Sequence, residues 1–291
     1  ANYVPSPDSV DDESNSGDSE NREILKKFEE FQKEVYLMSC LDHPNLVKLF
    51  GVTLQPLRMV MEFLPGGDLY HLLHNKTITL SLQQKLRIGL DIAKGMRYLQ
   101  SVTPPVIHRD LRSPNVLIVD IDPSAQIMAK VADFGLAHVV AHNTAGSLRT
   151  WQWHAPEAID LENKFYDERA DIYSFAIVLW ECLSREAPFV EYERDTRFSR
   201  LISEENGEQK WAPRMQVIKK AVMEESLRPT IPEDTPPEIV ELLEKSWHQD
   251  PNMRPSFDAI CATLSAVLNV PHISIDQKVH SPVADQTRRI T

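Results

Sequence analysis

Three groups of polar residues, in a fixed order near the middle of the chain, carry side chains that could do chemistry together. They are His108-Arg109-Asp110-Leu111-Arg112-Ser113-Pro114-Asn115, then Asp133-Phe134-Gly135, then Ala155-Pro156-Glu157. Asp110, Asn115 and Asp133 offer carboxylate and amide oxygens, which are the ligands that Mg²⁺ prefers. Arg112 adds a cation two residues after Asp110, within reach of a transferred phosphate. These residue types suit phosphoryl transfer, which needs positioning and charge neutralisation more than covalent chemistry.

The order of the three groups is more specific than any one of them. An isolated Asp-Phe-Gly is most often a turn and an isolated His-Arg-Asp a solvated loop, so each short motif alone is a weak signal. The eight-residue group is much stronger, and all three in order leave little room for coincidence. Together they resemble the signature of the protein kinases.

The resemblance implies a role for each matching residue. Asp110 would accept or orient the proton of the substrate hydroxyl, Arg112 would reach the transferred phosphate, and Asn115 and Asp133 would bind Mg²⁺. Arg109 suggests control through a charge-assisted pair with a phosphorylated residue in the 133–157 loop. The candidates for phosphorylation are Thr144, Ser147 and Thr150, and the further structural or regulatory positions in these motifs are His108 and Phe134.

A nucleotide site is implied by Met61-Glu62-Phe63-Leu64, which ends a predicted strand just before Pro65-Gly66-Gly67. This segment resembles the kinase hinge that pairs with adenine through backbone groups. The resemblance makes Met61 the gatekeeper, Glu62 and Leu64 the backbone contacts, Asp68 a ribose contact and Leu117 the floor of the adenine pocket. The alternative interpretation is an ordinary edge strand and loop.

Four more charged residues match supporting positions of the kinase pattern. Asp171 would brace the backbone near His108, and Arg254 would pair with Glu157; the alternative for each is a helix cap or a surface ion pair. Glu34 lies beside the apolar stripe of its predicted helix. In kinases the corresponding glutamate pairs with a lysine on the preceding strand, whereas the residue pattern alone favours a plain surface glutamate.

The elements that must position these residues follow from the apolar periodicity. A helix is predicted from about Arg22, with apolar residues at steps of four and three, and Asp42-His43-Pro44-Asn45 ends it. The remaining predicted elements are strands at Leu46–Leu54 and Leu57–Leu64, a short helix to about His74, a helix at Leu82–Gln100, short strands within 106–132, a loop over 133–157, a buried helix at Asp171–Leu183, a charged irregular segment at 190–215, and helices at Pro236–Trp247 and Ser256–Leu268.

This order predicts an α+β, protein-kinase-like fold with a truncated small β lobe and a mainly helical large lobe. Residues 1–20 form a predicted disordered acidic segment, because they bury too little apolar surface to offset ordering entropy. Residues 21–65 are the residual small lobe, consisting of a regulatory helix, two strands and the hinge. Residues 66–268 form the large lobe, and 269–291 are a flexible tail.

Composition excludes several classes of function. The formal charge of −12 disfavours binding to nucleic acid. The three cysteines are far apart, which argues against a disulfide framework or a zinc site and favours a reducing, cytoplasmic compartment. No run approaches the ~18 apolar residues that would span a bilayer.

Finer sequence details are similar to the tyrosine-kinase-like group, and most of all to the Roco family that includes the leucine-rich-repeat kinases. The supporting segments are Arg112-Ser113-Pro114-Asn115, Ala129-Lys130-Val131-Ala132, Trp153, Phe31-Gln32-Lys33-Glu34-Val35, Arg58-Met59-Val60-Met61-Glu62-Phe63 and Leu227-Arg228-Pro229-Thr230-Ile231-Pro232. That resemblance implies Ser/Thr phosphorylation of protein substrates with ATP and Mg²⁺. It also implies leucine-rich repeats and a Ras-like GTPase domain upstream in a longer product.

One part of the kinase pattern has no counterpart in the sequence. A complete kinase begins with strands that carry a glycine-rich loop and a lysine, whereas residues 1–25 contain a single glycine, Gly17, and no lysine. The chain is therefore expected to transfer phosphate poorly or not at all. A fragment of an active kinase, a degenerate kinase acting as a scaffold, and a helical interaction module with an acidic arm all remain open.

Overall fold

The computed structural model describes residues 14–133, 138–139, 148–159, 167–193, 195–198, 201–205, 208–211, 214–269 and 279–280. Its helices are α1 (Ser14–Ser39), α2 (Leu69–His74), α3 (Leu82–Ser101), α4 (Pro156–Ile159), α5 (Arg169–Ser184), α6 (Val190–Glu193), α7 (Arg214–Glu224), α8 (Pro237–Ser246) and α9 (Phe257–Leu268). Short 3₁₀ helices cover Ser113–Asn115, Leu148–Trp153, Thr196–Phe198 and Pro251–Met253.

The strands are short and pair two by two. They are β1 (Leu49–Leu54), β2 (Leu57–Met61), β3 (Val102–Thr103), β4 (Val106–Ile107), β5 (Val116–Ile118), β6 (Ala129–Val131), β7 (His138–Val139), β8 (Leu201–Glu205), β9 (Glu208–Trp211) and β10 (Val279–His280). Antiparallel pairs form between β1 and β2, β4 and β7, β5 and β6, and β8 and β9, whereas β10 pairs with β3 in parallel.

Helix α1 begins earlier than the sequence predicted. It starts at Ser14 rather than near Arg22, so residues 14–20 are helical, which corrects the predicted disorder of 1–20 for those positions. The physical reason is that extending an existing helix by one residue costs far less than nucleating a new one, even through serine-rich sequence. The rest of the predicted disordered segment, 1–13, lies outside the described residues.

The end of α1 is joined to the strand that leads to Asp133. Val131 donates its backbone N–H to the carbonyl of Asn45 at 2.9 Å, and Val47 donates to the carbonyl of Val131 at the same distance. The Asn45 side chain adds a third bond, from Nδ2 to the carbonyl of Ala129 at 3.2 Å. The segment that the sequence marked only as a helix stop therefore anchors the small lobe to β6.

The core of the large lobe is built around α5 and α3. Every residue of α5 from Ala170 to Leu183 is buried, which confirms the predicted buried helix. Helix α3 begins with a capping box in which Ser81 and Gln84 exchange hydrogen bonds. Its Gly89 packs so closely on α5 that an added Cβ would lie 2.8 Å from the Leu179 side chain.

The region predicted to be irregular, 190–215, contains regular structure. It holds α6, the Thr196–Phe198 3₁₀ helix, the β8–β9 pair and the start of α7. Two sequence signals were missed there: Asn206-Gly207 is a typical hairpin-turn dipeptide, and Met215, Ile218 and Val222 have helical spacing. Of the predicted tail, 269–291, the structure describes Asn269 and β10.

Among the helices that the structure describes, none combines the length and the apolar character that a membrane span requires.

Candidate active site

The side chains of Asp110, Arg112 and Asn115 converge on one carboxylate oxygen. Arg112 Nε donates to Asp110 Oδ2 at 3.0 Å, and Asn115 Nδ2 donates to the same oxygen at 2.9 Å. Asn115 Nδ2 also lies 2.8 Å from the backbone carbonyl of Asp110. The three residues are mostly buried, so these contacts hold the Asp110 carboxylate in one orientation.

The backbone just before Asp110 is held by a buried carboxylate on α5. Asp171 accepts a hydrogen bond from the N–H of His108 at 2.8 Å and another from the N–H of Arg109 at 2.9 Å. Burial raises the pKa of the Asp171 carboxyl, while His108 and the two amides act in the opposite direction. Arg109 has a φ of 69°, a left-handed conformation that is costly for a side-chain-bearing residue and is maintained by this bonding.

Asp133 is brought next to this loop by backbone contacts. Ala132 donates its N–H to the backbone carbonyl of Asn115 at 2.9 Å, and its own carbonyl lies 3.0 Å from His108 Nε2. Asp133 itself has a φ of 62°. Asn115 and Asp133 therefore lie on neighbouring segments, as two residues that bind the same metal ion must.

Glu34 faces the same region from α1. Burial raises the pKa of the Glu34 carboxyl, and the negative charge of Asp133 raises it further. Glu34 is therefore half-buried and within electrostatic range of Asp133, in contrast to the plain surface position that the residue pattern alone favoured. A cation between them would relieve the repulsion of the two carboxylates.

The donor atoms at this site fit Mg²⁺. Because Asn115 Nδ2 bonds to Asp110, its amide oxygen Oδ1 is the atom that remains for a metal, and Asp133 on the neighbouring segment offers a carboxylate. Within the described ranges no cluster of three or more His, Cys, Asp or Glu side chains could hold a metal by itself. A two-residue oxygen set suits Mg²⁺, which keeps waters and takes phosphate oxygens as its other ligands.

The predicted hinge follows β2. Met61 is the last residue of β2 and is 44% exposed, and the N–H of Glu62 donates to the carbonyl of Lys48 at 2.9 Å. The carbonyl of Leu64 accepts from the N–H of Gly67 at 3.4 Å, which closes the turn after the hinge. An added Cβ on Gly66 would lie 2.5 Å from the Ile118 carbonyl, so only glycine fits against β5.

Asp68 and Leu117 lie opposite each other in an isolated antiparallel bridge. The Asp68 carboxylate caps α2, accepting from the N–H of His71 at 2.9 Å, and it also contacts the His71 ring at 2.7 Å. The helix-cap contact therefore occupies one oxygen of the Asp68 carboxylate, which the sequence predicted to contact ribose. Leu117 is half-buried in β5, opposite Lys130 of β6.

The Glu62 side chain was not predicted to matter, yet it ties the hinge to β6. Its Oε1 forms a salt bridge with Lys130 Nζ at 2.5 Å, and its Oε2 accepts from the N–H of Lys48 at 2.9 Å. A cavity of about 280 Å³ adjoins this pair, lined by Leu41, Asp42, His43, Pro44, Leu46, Val47, Lys48, Glu62 and Lys130. Asp110, Asn115 and Asp133, the candidate oxygen donors, do not line that cavity.

Glu157 and Arg254 form a bidentate pair. Arg254 Nη1 and Nη2 donate to the two Glu157 oxygens at 2.6 and 2.9 Å, and the Arg254 side chain is fully buried. The guanidinium also lies 5.3 Å from the centroid of the Tyr173 ring on α5. The pair joins α4 to the segment before α9.

A second buried carboxylate on α5 was missed by the sequence analysis. Glu181 accepts from Ser113 Oγ at 2.8 Å and from Trp153 Nε1 at 3.0 Å. Burial raises the pKa of Glu181 to about 7, although both donors favour its charged form. A glutamate inside an otherwise apolar helix was the signal that could have found it.

A family model described as protein tyrosine and serine/threonine kinase matches residues 19–264, well over half of the chain. The chain belongs to this protein kinase family. The predicted α+β kinase-like fold, with a reduced small lobe and a mainly helical large lobe, is confirmed.

The relatives of this kinase domain include three named serine/threonine kinases. Probable serine/threonine-protein kinase roco11 of Dictyostelium discoideum is 45% identical over 249 residues, which cover 86% of this chain and 15% of that protein. Probable serine/threonine-protein kinase qkgA of the same organism is 43% identical, over 83% of this chain and 14% of its own length. Serine/threonine-protein kinase STY17 of Arabidopsis thaliana is 37% identical, over 85% of this chain and 38% of its own length. The predicted resemblance to Roco kinases is confirmed.

Three of the predicted regulatory positions of this kinase domain, Phe134, Thr144 and Ser147, lie outside the described residues. Thr150 belongs to the Leu148–Trp153 3₁₀ helix, three residues before Trp153. The structure thus places its backbone near the segment that Glu181 holds, and its proposed role stays a prediction.

The buried ion pair predicts a large stability effect from a single truncation. Replacing Glu157 with Ala leaves the buried Arg254 charge without its carboxylate, so the free energy of unfolding should fall by about 3–5 kcal/mol. Urea unfolding followed by tryptophan fluorescence measures the change. The matched control is Glu186→Ala, which removes the carboxylate of the exposed Lys76–Glu186 pair, at 2.7 Å, and should cost at most about 1 kcal/mol. Equal losses of unfolding free energy in Glu157→Ala and Glu186→Ala would contradict the stabilising role of the buried Glu157–Arg254 pair.

The raised pKa of Glu181 predicts a dependence of stability on pH. In the folded state the Glu181 carboxyl keeps its proton up to its pKa of about 7, whereas in the unfolded state it loses the proton near its ordinary pKa of 4.5. Folding therefore loses stability as pH rises from 4.5 to 7, by up to about 3 kcal/mol from this group. Urea unfolding of the wild type and of Glu181→Gln across that range isolates the contribution. The two stability curves should diverge within the window, and parallel curves would contradict the prediction.

Proposed function

We propose that this chain is a serine/threonine protein kinase domain, which transfers the γ-phosphate of ATP to hydroxyl groups of protein substrates with Mg²⁺ as cofactor. The observation that carries the proposal is the convergence of Arg112 and Asn115 on the Asp110 carboxylate, with Asn115 bonded through its backbone to the residue before Asp133. Family membership supports the reaction class, and the names of the relatives support Ser/Thr as the acceptor.

Each residue of the constellation has a distinct task. Asp110, oriented by two donors, accepts or orients the proton of the substrate hydroxyl. Arg112 offers its remaining guanidinium N–H groups to the transferred phosphate. Asn115 Oδ1 and the Asp133 carboxylate would hold Mg²⁺, which would neutralise phosphate charge when bound. Asp171 and His108 keep the loop in the shape that these tasks need.

The adenine would lie along the hinge, against Leu117. Backbone groups of Glu62 and Leu64 supply the base contacts, with Met61 at the rear of the pocket. Asp68 can keep Oδ1 on the α2 cap while Oδ2, which contacts the exposed His71 ring, exchanges that contact for a ribose hydroxyl. Arg109 would respond to a phosphorylated residue, with Thr144, Ser147 and Thr150 as candidates, and Phe134, which follows Asp133 in the sequence, is a further regulatory candidate.

The wider setting is inferred from the Roco resemblance. The domain would act in intracellular signal transduction, in the cytoplasm, within a longer product that carries a GTPase domain and leucine-rich repeats. We also propose that the 291 residues by themselves transfer phosphate slowly, because residues 1–25 contain no lysine to grip the phosphates and only one glycine.

Substituting the two proposed catalytic carboxylates separates binding from chemistry. Asp133→Asn should abolish the Mg²⁺-dependent part of ATP binding, since the metal loses its charged ligand, whereas Asp110→Asn should retain it. Thermal shift and titration calorimetry with ATP, with and without Mg²⁺, measure both. Asp122→Asn, on an exposed turn of the same large lobe, is the control and should bind like the wild type. Mg²⁺-dependent ATP binding that persists in Asp133→Asn would contradict the assignment of Asp133 as a metal ligand.

Phosphate transfer by the chain itself tests the remaining part of the proposal. With a mixture of Ser-, Thr- and Tyr-containing peptides, turnover should stay below about 1% of the ~1–100 s⁻¹ typical of kinases. Any transferred label should appear on Ser and Thr, and it should disappear in Asp110→Asn. Turnover in the normal range would contradict the expected impairment, and label on Tyr alone would contradict the acceptor class.

A further inference from the structure

The cavity of about 280 Å³ beside the Glu62–Lys130 pair has no role in the function proposed above. It lies where the turn after α1, the hinge and β6 meet, and we name it the junction cavity. Backbone bonds fix one of its walls: Leu46 donates its N–H to the carbonyl of His43 at 3.0 Å, and Val47 donates to the carbonyl of the β6 residue Val131 at 2.9 Å. Leu46 and Val47 are 3% and 5% exposed, so this wall belongs to the buried interior. A preformed space of this kind spares a ligand the cost of ordering the protein.

Glu62 and His43, two side-chain acceptors in the lining of the junction cavity, are already occupied. Glu62 Oε1 accepts from Lys130 Nζ at 2.5 Å, and Glu62 Oε2 accepts from the backbone N–H of Lys48 at 2.9 Å. His43 Nδ1 accepts from the backbone N–H of Asn45 at 3.1 Å. A ligand that needs to donate would therefore find these two side chains engaged.

The side-chain donors in the lining are in surplus. An ammonium carries three N–H groups, and in the described part of the chain Glu62 is the one acceptor found for Lys130 Nζ, although that side chain is only 15% exposed. Lys48 Nζ reaches Asp42 at 3.4 Å, and the Asp42 side chain is 84% exposed to water. Burial lowers the pKa of His43 to about 4, so the neutral ring carries its proton on Nε2, opposite the nitrogen that accepts. The junction cavity thus suits a ligand that brings an anionic oxygen.

The remaining lining residues determine what else the ligand must have. Leu41, Pro44, Leu46 and Val47 are apolar, so a ligand gains affinity from an apolar body as well as from its anionic group. Benzene fits a protein cavity of about 150 Å³. A cavity of about 280 Å³ therefore has room for one ring and a short acidic arm. Inorganic phosphate would leave the apolar wall uncovered.

We propose that the junction cavity is a second ligand site, which binds a small carboxylic acid with an aromatic or aliphatic body. The carboxylate lies against Lys130 and Lys48, and the body lies against the four apolar residues. Leu117, the proposed floor of the adenine pocket, does not line the cavity, so the acid and ATP occupy different places.

The first test uses phenylacetate as the probe and the 291-residue chain labelled at its Leu and Val methyl groups. Titrations followed in ¹H–¹³C spectra suit the weak binding expected of a ligand with about ten non-hydrogen atoms. The methyl signals of Leu41, Leu46 and Val47 should shift saturably, and those of Val178, buried in α5, should not. Phenylacetamide keeps the shape without the charge, and acetate keeps the charge without the ring. Each should bind at least about tenfold more weakly than phenylacetate.

The second test removes the donors one at a time. Lys130→Gln should weaken phenylacetate binding about tenfold or more, because its ammonium is mostly buried, and Lys48→Gln about two- to fivefold, because its side chain is 56% exposed. Lys76→Gln is the matched control and should bind like the wild type. Lys76 is 60% exposed and pairs with Glu186 at 2.7 Å, but it does not line the cavity. If Lys130→Gln does not fold, the double variant Glu62→Gln/Lys130→Gln, which leaves no unpaired charge, should show the same loss.

Each outcome supports the site or overturns it. Shifts confined to methyl groups outside the cavity, equal affinity for phenylacetate and phenylacetamide, or unchanged affinity in the Lys130 variants would overturn the proposal. Saturating ATP with Mg²⁺ should change the phenylacetate Kd less than about threefold. A Kd that rises in proportion to the ATP concentration would place the acid in the nucleotide site and overturn the separate cavity. A chain that binds the acid at the cavity but binds no ATP would contradict the proposed kinase function and leave the second site standing.

Discussion

The candidate catalytic loop, residues 108–115, keeps its shape because a buried carboxylate, Asp171, accepts from the backbone N–H groups of His108 and Arg109. Two bonds to successive amides hold Arg109 at a positive φ, which the chain would otherwise avoid. The turn this creates directs Asp110 toward Arg112 and Asn115, and the His108 ring toward the carbonyl of Ala132. This anchor acts together with the β5–β6 pairing and the Ala132–Asn115 backbone bond, which fix the residues before Asp133 relative to the loop.

Helix α5 acts as a platform on which both ends of the catalytic loop are fastened. Asp171 holds the beginning of the loop and Glu181 holds Ser113, ten residues or about 15 Å further along the helix axis. Both carboxylates lie in a helix whose residues from Ala170 to Leu183 are all buried, so each is stabilised by what it accepts rather than by water. The rigidity of a fully buried helix is thereby transmitted to a loop that has almost no regular structure of its own.

The small lobe is tied to this platform through β6. The Asn45 turn and the Glu62–Lys130 pair both reach β6, so helix α1, the hinge and the strand before Asp133 form one connected unit.

Sequence periodicity predicted most helices within one or two residues, because apolar spacing depends only on neighbouring positions. It missed the early start of α1, the β8–β9 pair and α7, where polar residues and a short hairpin obscure the pattern. The motifs identified Asp110, Asn115, Asp133 and Asp171 as candidates, because their order along the chain is specific.

The sequence by itself indicated the protein kinase family, the candidate oxygen donors and the helical character of the large lobe, because these follow from residue types at short spacings. Only the tertiary structure decided which distant residues meet. Glu181 with Trp153, Glu62 with Lys130, and Asn45 with β6 are 28 to 84 residues apart. No local pattern encodes such contacts, because they depend on how separate elements pack. The same packing half-buries Glu34, within electrostatic range of Asp133, since burial depends on what covers a helix face and not on the helix alone.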